Sequence, residues 1–289
     1  MRVAVVGHVE WVEFLRVGRM PAPGDILHVT DFWEEPAGGG PGAAVQLLKL
    51  AGSCHFYTAL GDDELGHRSL EELERLGLTV HAAWRAEPQR RAVTFVDSRG
   101  ERAITIIGER LHPRADDPLP WDELDSTEAA YFTAGDDDAL RAARRARTLT
   151  CTTRILEQLQ RVGVQLDAVA GSDRDDSERY VTGDIRPIPH LAVLTQGERG
   201  GRYSMDGAAW RSFAANPLPV PVVDSYGAGD SFAAGLAYGL AALGDPEKAI
   251  ELAARCGAAV LTGRGPYEGQ LTMAGGSEGG RRDRADTGR

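Results

Sequence analysis

The sequence predicts an α/β fold, a three-layer α/β/α sandwich around a mainly parallel sheet, with a small antiparallel β-sheet that stands off the main body. Three observations support it. The first strand, Arg2–Gly7 (RVAVVG), is apolar after Arg2, which is typical of a strand buried on both faces of a parallel sheet. Strands and helices then alternate, as they do in layered α/β proteins. Two β segments, about 14–36 and 88–108, interrupt this alternation and form the small sheet.

The other elements follow from local patterns along the chain. Glycines at both ends bound the first helix, and acidic residues in the first turn of the second suit the helix dipole. In chain order we expect a helix at Gly42–Gly52, a strand at Ser53–Gly61, a helix within 62–77, an arginine-rich helix with a solvated face at Asp137–Arg147, a strand–turn–strand unit at Leu191–Ser204, a helix from Asp230, and a last helix that ends near Gly263.

Each inserted β segment has a recognisable pattern. The first contains DILHVTDFW (Asp25–Trp33), which alternates like a strand with one exposed face. The second has two alternating runs on either side of DSRG (Asp97–Gly100), which predicts a hairpin. An extra antiparallel edge of the main sheet is an alternative to a separate small sheet. We expect one domain over residues 1–268 and a disordered tail at 269–289, which is rich in glycine and charge.

The composition excludes several classes of partner. The chain has 289 residues and a formal net charge of −11, so we expect no general affinity for nucleic acid or anionic membranes, which both favour a positive surface. No apolar run is long enough to span a membrane, and acidic residues come too early for a signal peptide. Three scattered cysteines are typical of reduced thiols, which predicts a cytoplasmic protein.

Several common catalytic motifs are absent from the sequence. Neither of the two lysines, Lys49 and Lys248, follows a glycine, so the chain has no phosphate-binding P-loop. There is no HExxH zinc motif and no GxSxG nucleophile elbow. The first strand ends in GHVEWV rather than GxGxxG, so the dinucleotide fingerprint is missing as well. Any nucleotide must therefore be held by a different loop.

The segment DSYGAGD, Asp224–Asp230, suggests such a loop. Gly227, Ala228 and Gly229 allow a sharp turn, and the apolar run after them begins a helix whose free N–H groups attract anions. Asp230 lies in the first turn. Because a carboxylate repels an anion, Asp230 is best interpreted as a proton acceptor from a hydroxyl that attacks a phosphoryl group. The alternative is that Asp230 only caps the helix.

These residues resemble the ribokinase, or PfkB, family of carbohydrate kinases. DSYGAGD is similar to the DTxGAGD signature of that family, with Ser225 in place of threonine. GGGPGAAVQLLKLAG (Gly38–Gly52) is similar to the first signature, and LTQGERGG (Leu194–Gly201) resembles the segment that lines the nucleotide phosphates. The resemblance runs in order from about residue 3 to 268, and the inserted β segments correspond to the β lid of the family.

The resemblance implies a mechanism and a set of ligands. Asp230 would be the base, and the backbone of Gly227–Gly229 would hold the γ-phosphoryl group of ATP, whose phosphates are screened by Mg²⁺. The implied nucleotide-side residues are Thr195, Gly197, Asp224, Ser225 and Gly265. A monovalent cation, K⁺, is implied beside Asp224 and residues 263–265. A homodimer through the lid is also implied, since a small lid leaves an exposed edge.

The acceptor side departs from the family pattern. The position that usually carries aspartate is Val12, and Ala43 or Ala44 replaces the asparagine of the first signature. We expect Glu10 to bind an acceptor hydroxyl instead, together with Gly38 and Gly39; a solvated strand end is the alternative for Glu10.

Two further assignments are less direct. The NxxE element of the family matches Ser172 and Asp175, with Gly171 and Arg174 as an equally good register, and Asp175 is the expected Mg²⁺ residue. Arg90 and Arg91 point to opposite faces of a strand, so at most one faces the pocket. We assign Arg91 to substrate, where it would suit a phosphorylated or acidic acceptor, although a solvated position is as well supported.

The sequence therefore predicts an ATP-dependent kinase that transfers the γ-phosphoryl group to a hydroxyl of a sugar or sugar-like metabolite. A nucleoside kinase is one alternative, favoured if aromatic residues face the pocket. A ligand-binding or regulatory homologue with weak or no catalysis is the other, favoured by the missing sugar-binding residues and opposed by the intact GAGD turn.

Overall fold

The computed structural model describes residues 1–273; residues 274–289, most of the predicted tail, lie outside the described residues. Its strands are β1 (Val3–Val6), β2 (Glu10–Arg16), β3 (Asp31–Ala37), β4 (His55–Gly61), β5 (Thr79–Arg85), β6 (Arg91–Val96), β7 (Arg102–Ile107), β8 (Ala129–Phe132), β9 (Thr148–Thr152), β10 (Ala168–Ser172), β11 (Leu191–Thr195), β12 (Gly201–Met205) and β13 (Arg211–Phe213). Its α-helices are α1 (Gly39–Ala51), α2 (Glu64–Arg75), α3 (Asp137–Ala143), α4 (Leu156–Val162), α5 (Ala228–Leu243) and α6 (Pro246–Val260).

The main sheet has nine strands in the order β13-β12-β11-β10-β9-β8-β1-β4-β5. All neighbours from β11 to β5 are parallel, and only β12 and β13 are antiparallel. Strand β1 is central, with Val5 opposite Phe56 on one side and Tyr131 on the other. Its four residues are fully buried, which explains why the strand is apolar throughout.

Helices cover both faces of this sheet, which confirms the predicted three-layer sandwich. One apolar core includes Leu47 of α1, Leu73 of α2 and Leu236 of α5. The core on the other face includes Leu140 of α3 and Leu159 of α4. Helix α5 is apolar on most of its surface because it lies between the sheet and the helices α1 and α6. None of the described helices is long and apolar enough to span a membrane.

The lid is a four-stranded sheet in the order β3-β2-β6-β7. The pairs β2–β3 and β6–β7 are antiparallel, whereas β2 and β6 pair in parallel. The predicted hairpin at Asp97–Gly100 is confirmed, with Gly100 N–H donating to Asp97 O. The predicted strand Asp25–Trp33 is wrong before residue 31: β3 can pair only with β2, and the ladder stops where Asp31 meets Arg16 at the end of β2.

The folded body extends past its predicted end at residue 268. Gln270 is buried, and its side-chain amide donates to the carbonyl of Gly42 at 2.7 Å. The carbonyl of Leu271 accepts a hydrogen bond from Gln46. The predicted tail boundary is therefore too early by several residues, because these two glutamines fix the segment to helix α1. Helix α3 also ends at Ala143, four residues before the predicted end at Arg147.

Candidate active site

Helix α5 begins at the GAGD turn, which leaves backbone donors free. Gly227 precedes the helix with φ 79°, a left-handed conformation that favours glycine. The first hydrogen bond of the helix runs from Ser231 N–H to Gly227 O. The N–H groups of Ala228, Gly229 and Asp230 thus precede the helical ladder, and a side chain on Gly229 would meet no atom within 4 Å. The arrangement is an accessible anion-binding helix start.

The carboxylate of Asp230 lies against the first turn of α1. A Cβ atom on Gly39 would lie 3.1 Å from Asp230 Oδ1 and 3.0 Å from Thr133 Oγ1. A Cβ atom on Gly42 would lie 3.4 Å from Asp230 Cβ. Burial raises the pKa of Asp230, and the nearby cationic side chains only partly offset this effect. A carboxylate with a raised pKa is a better proton acceptor at neutral pH.

Glu10 and Gly38, two of the predicted acceptor-side residues, lie together beside this turn. Gly38 has φ 93°, and a Cβ atom there would lie 3.4 Å from the Glu10 side chain. Glu10 Oε1 is 2.9 Å from Arg90 Nε and 3.5 Å from His8 Nε2. Burial alone would raise the pKa of Glu10, but the hydrogen bond from His8 and the charges of Arg90 and Arg110 lower it below its ordinary value. Glu10 is therefore ionised at neutral pH.

The structure assigns Arg90, and not Arg91, to this pocket. Arg91 begins β6, where it pairs with Trp11 of β2, and its side chain forms an ion pair with Glu13 on the other face of the lid. The side chain of Arg91 is 42% exposed, whereas that of Arg90 is only 13% exposed. The alternation of the two arginines is as predicted, but the register of β6 against β2 gives the inward position to Arg90.

A cavity of about 1050 Å³ opens beside the site. Arg90, Arg110 and Arg154 are among its lining residues. Arg110 forms no ion pair with any part of the chain from residue 1 to 273, and burial together with Arg90 lowers its pKa. The lining also contains six acidic residues and two further arginines, so the positive charge is local to the end of the cavity at Arg90 and Arg110 and is not a property of the whole cavity.

Arg154 links the base to the predicted metal residue. Its guanidinium is 2.9 Å from Asp175 Oδ2 and 2.5 Å from Glu178 Oε1, and its charge acts on Asp230. The other oxygen of Asp175 accepts hydrogen bonds from the N–H and hydroxyl of Ser177. Both oxygens of Asp175 are therefore engaged by groups of the protein.

The predicted nucleotide-side residues fall into two groups. Thr195 ends β11 beside Ser172 of β10, and Gly197 follows with φ 63°. Asp224 lies in the second group, fully buried, and accepts hydrogen bonds from the N–H of Gly265 and of Tyr226. This buried carboxylate joins the GAGD loop to residues 263–265.

Ser225 connects the GAGD loop to the lid. Its N–H donates to Gly100 O in the β6–β7 hairpin at 3.0 Å, and its carbonyl accepts a hydrogen bond from Arg102 of β7. Tyr226, the next residue, contacts the segment between β3 of the lid and helix α1, since its hydroxyl accepts a hydrogen bond from Gly38 N–H at 3.1 Å. The lid is therefore bonded directly to the anion-binding loop.

A model of the pfkB family of carbohydrate kinases matches residues 1–183 and 170–273. The chain belongs to this family. It is therefore a phosphotransferase of the carbohydrate-kinase type, and the recognition made from the DSYGAGD and GGGPGAAV segments is confirmed.

Individual proteins similar to this kinase cover most of its length. An ATP-dependent ribose-1-phosphate kinase from Halopiger xanaduensis is 26% identical over 276 residues, which is 89% of this chain and 91% of that protein. A fructokinase from Klebsiella pneumoniae is 29% identical over 286 residues, 82% and 90% of the two chains. The crystal structure of a ribokinase from Thermotoga maritima matches with a TM-score of 0.73 at 21% identity, over 93% of this chain and 96% of that one.

Sequence reasoning missed four residues at the site: His8, Thr133, Arg154 and Arg110. The first three each follow a strand of the parallel sheet at its carboxyl end, β1, β8 and β9 respectively, whereas Arg110 follows β7 of the lid. Because these ends share one edge of the sheet, the position after each strand was a usable signal. The residue types gave no signal of their own.

Glu35 of the lid is a partly buried acidic residue whose ionisation should affect the stability of the fold. Burial raises its pKa to about 7, although Trp33 Nε1 donates to its carboxylate at 3.1 Å. The folded-state pKa is above the ordinary value of 4.5, so the ionised form is disfavoured in the fold. The contribution of the Glu35 carboxyl group to the free energy of unfolding is fully present below pH 4.5 and is lost as the pH rises through about 7.

We expect Glu35→Gln to raise the free energy of unfolding at pH 8 by about 2–3 kcal/mol and to leave it nearly unchanged at pH 4.5, because one pKa unit corresponds to about 1.4 kcal/mol. Urea unfolding at both pH values measures this. Glu34→Gln is the matched control, since Arg68 lowers the pKa of Glu34 and its removal gives no gain at pH 8. An equal effect of Glu35→Gln at both pH values contradicts the prediction.

Proposed function

We propose that Asp230 is the general base of an ATP-dependent kinase that phosphorylates a hydroxyl of a sugar-like acceptor. One observation carries the proposal: the Asp230 carboxylate lies between the open helix start at Gly229 and the polar pocket around Glu10 and Gly38. A hydroxyl in that pocket can lose its proton to Asp230. The N–H groups of the GAGD turn then stabilise charge on the phosphoryl group in transfer.

The nucleotide is proposed to lie across the carboxyl ends of β10 and β11. Thr195 and Gly197 support the phosphates there, and Mg²⁺ screens their charge when it is bound. The donor set suits this arrangement, because Asp175 and Glu178 already share the guanidinium of Arg154 and can reach a hydrated ion without leaving it. For K⁺, backbone carbonyls near residues 263–265 are the proposed ligands, since both oxygens of Asp224 already accept backbone N–H groups.

We further propose that the acceptor is itself phosphorylated or acidic. Arg90 and Arg110 line the cavity on the acceptor side, and Arg110 has no ion-pair partner in the described chain. Arginine binds phosphate and carboxylate groups through two parallel hydrogen bonds. The similarity to an ATP-dependent ribose-1-phosphate kinase agrees with this class of acceptor.

The nucleoside alternative lacks comparable support. Trp11 lies under the guanidinium of Arg68 at 4.4 Å, and Trp33 stacks on Phe14 with 4.8 Å between ring centroids. These aromatic faces are engaged by protein side chains and are not free to stack on a nucleobase. The non-catalytic alternative is opposed by the raised pKa of Asp230, which suits a base.

Replacement of the base tests the proposal. Asp230→Asn should lower turnover about 10²–10⁴-fold on any accepted substrate, because the proton acceptor is removed, while the affinity for ATP changes little. ATP consumption over a panel of sugars, sugar phosphates and nucleosides measures the first effect, and calorimetry with ATP the second. Asp245→Asn, the same change at the start of α6, is the control. Turnover that survives Asp230→Asn would sink the mechanism.

The two adjacent arginines test the class of acceptor. Arg90→Met should raise the KM for a phosphorylated acceptor about 10–100-fold, the effect of losing a charge-assisted contact, with a smaller change for neutral sugars. Arg91→Met changes the adjacent residue, which begins β6 and faces the other side of the lid, and it should leave both values unchanged. If wild-type protein phosphorylates only neutral sugars, the anionic acceptor is excluded while the kinase proposal stands.

We also propose a homodimer through the lid. All six residues of β7 are exposed, the strand lies at an edge of the lid, and Ile104, Ile106 and Ile107 are each more than 40% exposed. Apolar edge strands readily pair with a second copy. Ile106→Lys should shift the protein from dimer to monomer in sedimentation velocity experiments, with Val181→Lys as an exposed control outside the lid. A wild-type monomer at micromolar concentration contradicts this proposal.

A cytoplasmic location is proposed on the state of the cysteines. Cys54, Cys151 and Cys256 are all buried and free, and burial raises the pKa of each thiol. Buried thiols without a disulfide suit a reducing compartment. ATP is also supplied there as the phosphoryl donor.

A further inference from the structure

A second group of potential ligands lies at the other edge of the main sheet. His55 opens β4, His81 is the third residue of β5, and Glu123 lies in the short 3₁₀ helix Trp121–Ser126. One ligand atom from each residue lies within 4.8 Å of the other two. The kinase site is at the carboxyl ends of the parallel strands, whereas His55 is at the amino end of its strand. The cluster has no part in the proposed phosphoryl transfer.

The distances within this cluster match those between the ligands of one metal ion. His55 Nδ1 is 3.0 Å from His81 Nε2 and 3.4 Å from Glu123 Oε2. Two nitrogens bound to tetrahedral Zn²⁺ at about 2.0–2.1 Å are about 3.3 Å apart. The two imidazole rings meet edge to edge, with 5.3 Å between their centroids and 18° between their planes, so the facing nitrogens point toward each other. Rotation of either ring about its Cβ–Cγ bond aims both lone pairs at one shared ion.

We propose that His55 Nδ1, His81 Nε2 and the carboxylate of Glu123 bind one divalent transition-metal ion of the Zn²⁺ type, with water in the fourth position. Two imidazoles and one carboxylate are a common ligand set for Zn²⁺. All three side chains are partly exposed, so an ion and a water molecule can reach them. The site has one open position and is separate from the Mg²⁺ that accompanies ATP.

The two histidines present suitable ligand atoms to each other. His55 Nδ1 and His81 Nε2 face each other at 3.0 Å. A neutral imidazole binds a metal through its unprotonated ring nitrogen, so the tautomers that carry their protons on His55 Nε2 and His81 Nδ1 leave both facing nitrogens free for one ion.

The surroundings hold the ligands in place. Arg2 donates to Glu123 Oε2 at 2.6 Å and to Ser126 Oγ at 2.9 Å, which orients the carboxylate. Glu123 Oε2, the oxygen that lies 3.4 Å from His55 Nδ1, accepts the bond from Arg2 with one lone pair and keeps a second lone pair for a metal. The ring of Tyr57 lies 4.7 Å from that of His81 and covers one side of the cluster. Contacts of this kind fix ligand orientation in metal sites.

Bound metal would connect β4, β5 and the 3₁₀ helix, which are distant in the chain. The three ligands meet only in the folded state, so the metal binds the folded protein and not the unfolded chain. Metal binding therefore stabilises the fold. Thermal unfolding of chelator-treated protein with and without added Zn²⁺ therefore reports on the site without any assay of kinase activity.

The experiment is a titration of the full-length, metal-free protein with Zn²⁺ by calorimetry, and with Co²⁺ by visible absorption. We expect one ion per chain, a tetrahedral Co²⁺ spectrum, and a higher Tm with Zn²⁺. His81→Gln and, independently, Glu123→Gln should each weaken binding at least tenfold. His67→Gln and His190→Gln, which change exposed histidines paired with Asp62 and Asp206, are the matched controls.

The outcomes separate the proposal from its alternatives. Absence of binding by the wild type overturns it, as does binding that is unchanged in both cluster variants or lost in a control variant. Because His81→Gln can disturb β5, the chelator-treated variants are first compared by circular dichroism. Loss of metal binding in Glu123→Gln with an unchanged spectrum supports the site even if His81→Gln unfolds. A positive result leaves the kinase proposal untouched, and so does a negative one.

Discussion

The close approach of helix α1 to two carboxylates determines the shape of the kinase site. The first turn of α1 carries Gly39 and Gly42 where Asp230 approaches, and Gly38 where Glu10 approaches. A Cβ atom on Gly40 would lie only 2.6 Å from the carbonyl oxygen of His8. Side chains at these positions would separate α1 from α5 and from β2. Because these side chains are absent, Asp230, the proposed base, and Glu10, the proposed acceptor-side acid, both lie against one helix start.

The same contacts join the lid to the site. Tyr226 follows the two residues that anchor the GAGD loop, and its hydroxyl accepts a hydrogen bond from Gly38 N–H. Its ring packs edge-on against Phe14 of the lid, in an apolar cluster that includes Val12. The apolar Val12, which departs from the family pattern, thus has a packing role. An ionised side chain in that cluster would be buried without a partner.

The sequence predicted the parts of the site that local geometry determines. The GAGD turn requires glycine at a left-handed position and a helix after it, and both features are visible in the letters alone. The choice between Arg90 and Arg91 depends on the register of β6 against β2, which is a contact between residues about 80 positions apart in the chain. The alternation of side chains along a strand predicts that the two arginines point to opposite faces. It does not predict which of them faces the pocket around Glu10.

Arg154 shows a further limit of prediction from sequence. It was not recognised because its partners, Asp175 and Glu178, belong to the next βα unit and become neighbours only when β9 and β10 pair. The cluster of His55, His81 and Glu123 has the same origin, since three separate segments meet at the amino ends of β4 and β5. Both groups follow from pairing between parallel strands, which brings distant positions to one sheet edge without leaving a motif in the sequence.

The acceptor side now has a physical explanation for its departures from the family. An uncharged sugar is held by neutral and anionic groups that accept and donate hydrogen bonds to hydroxyls, and this chain has replaced two of them by Val12 and by Ala43 or Ala44. What remains is Glu10, held ionised by Arg90 and His8, and the unpaired guanidinium of Arg110. A pocket that has lost an aspartate and an asparagine and kept arginines has fewer partners for hydroxyls and more attraction for an anionic group. Under the proposed function, these substitutions would shift recognition from the sugar ring to a charged substituent, while the sequence of the GAGD turn is that of the family.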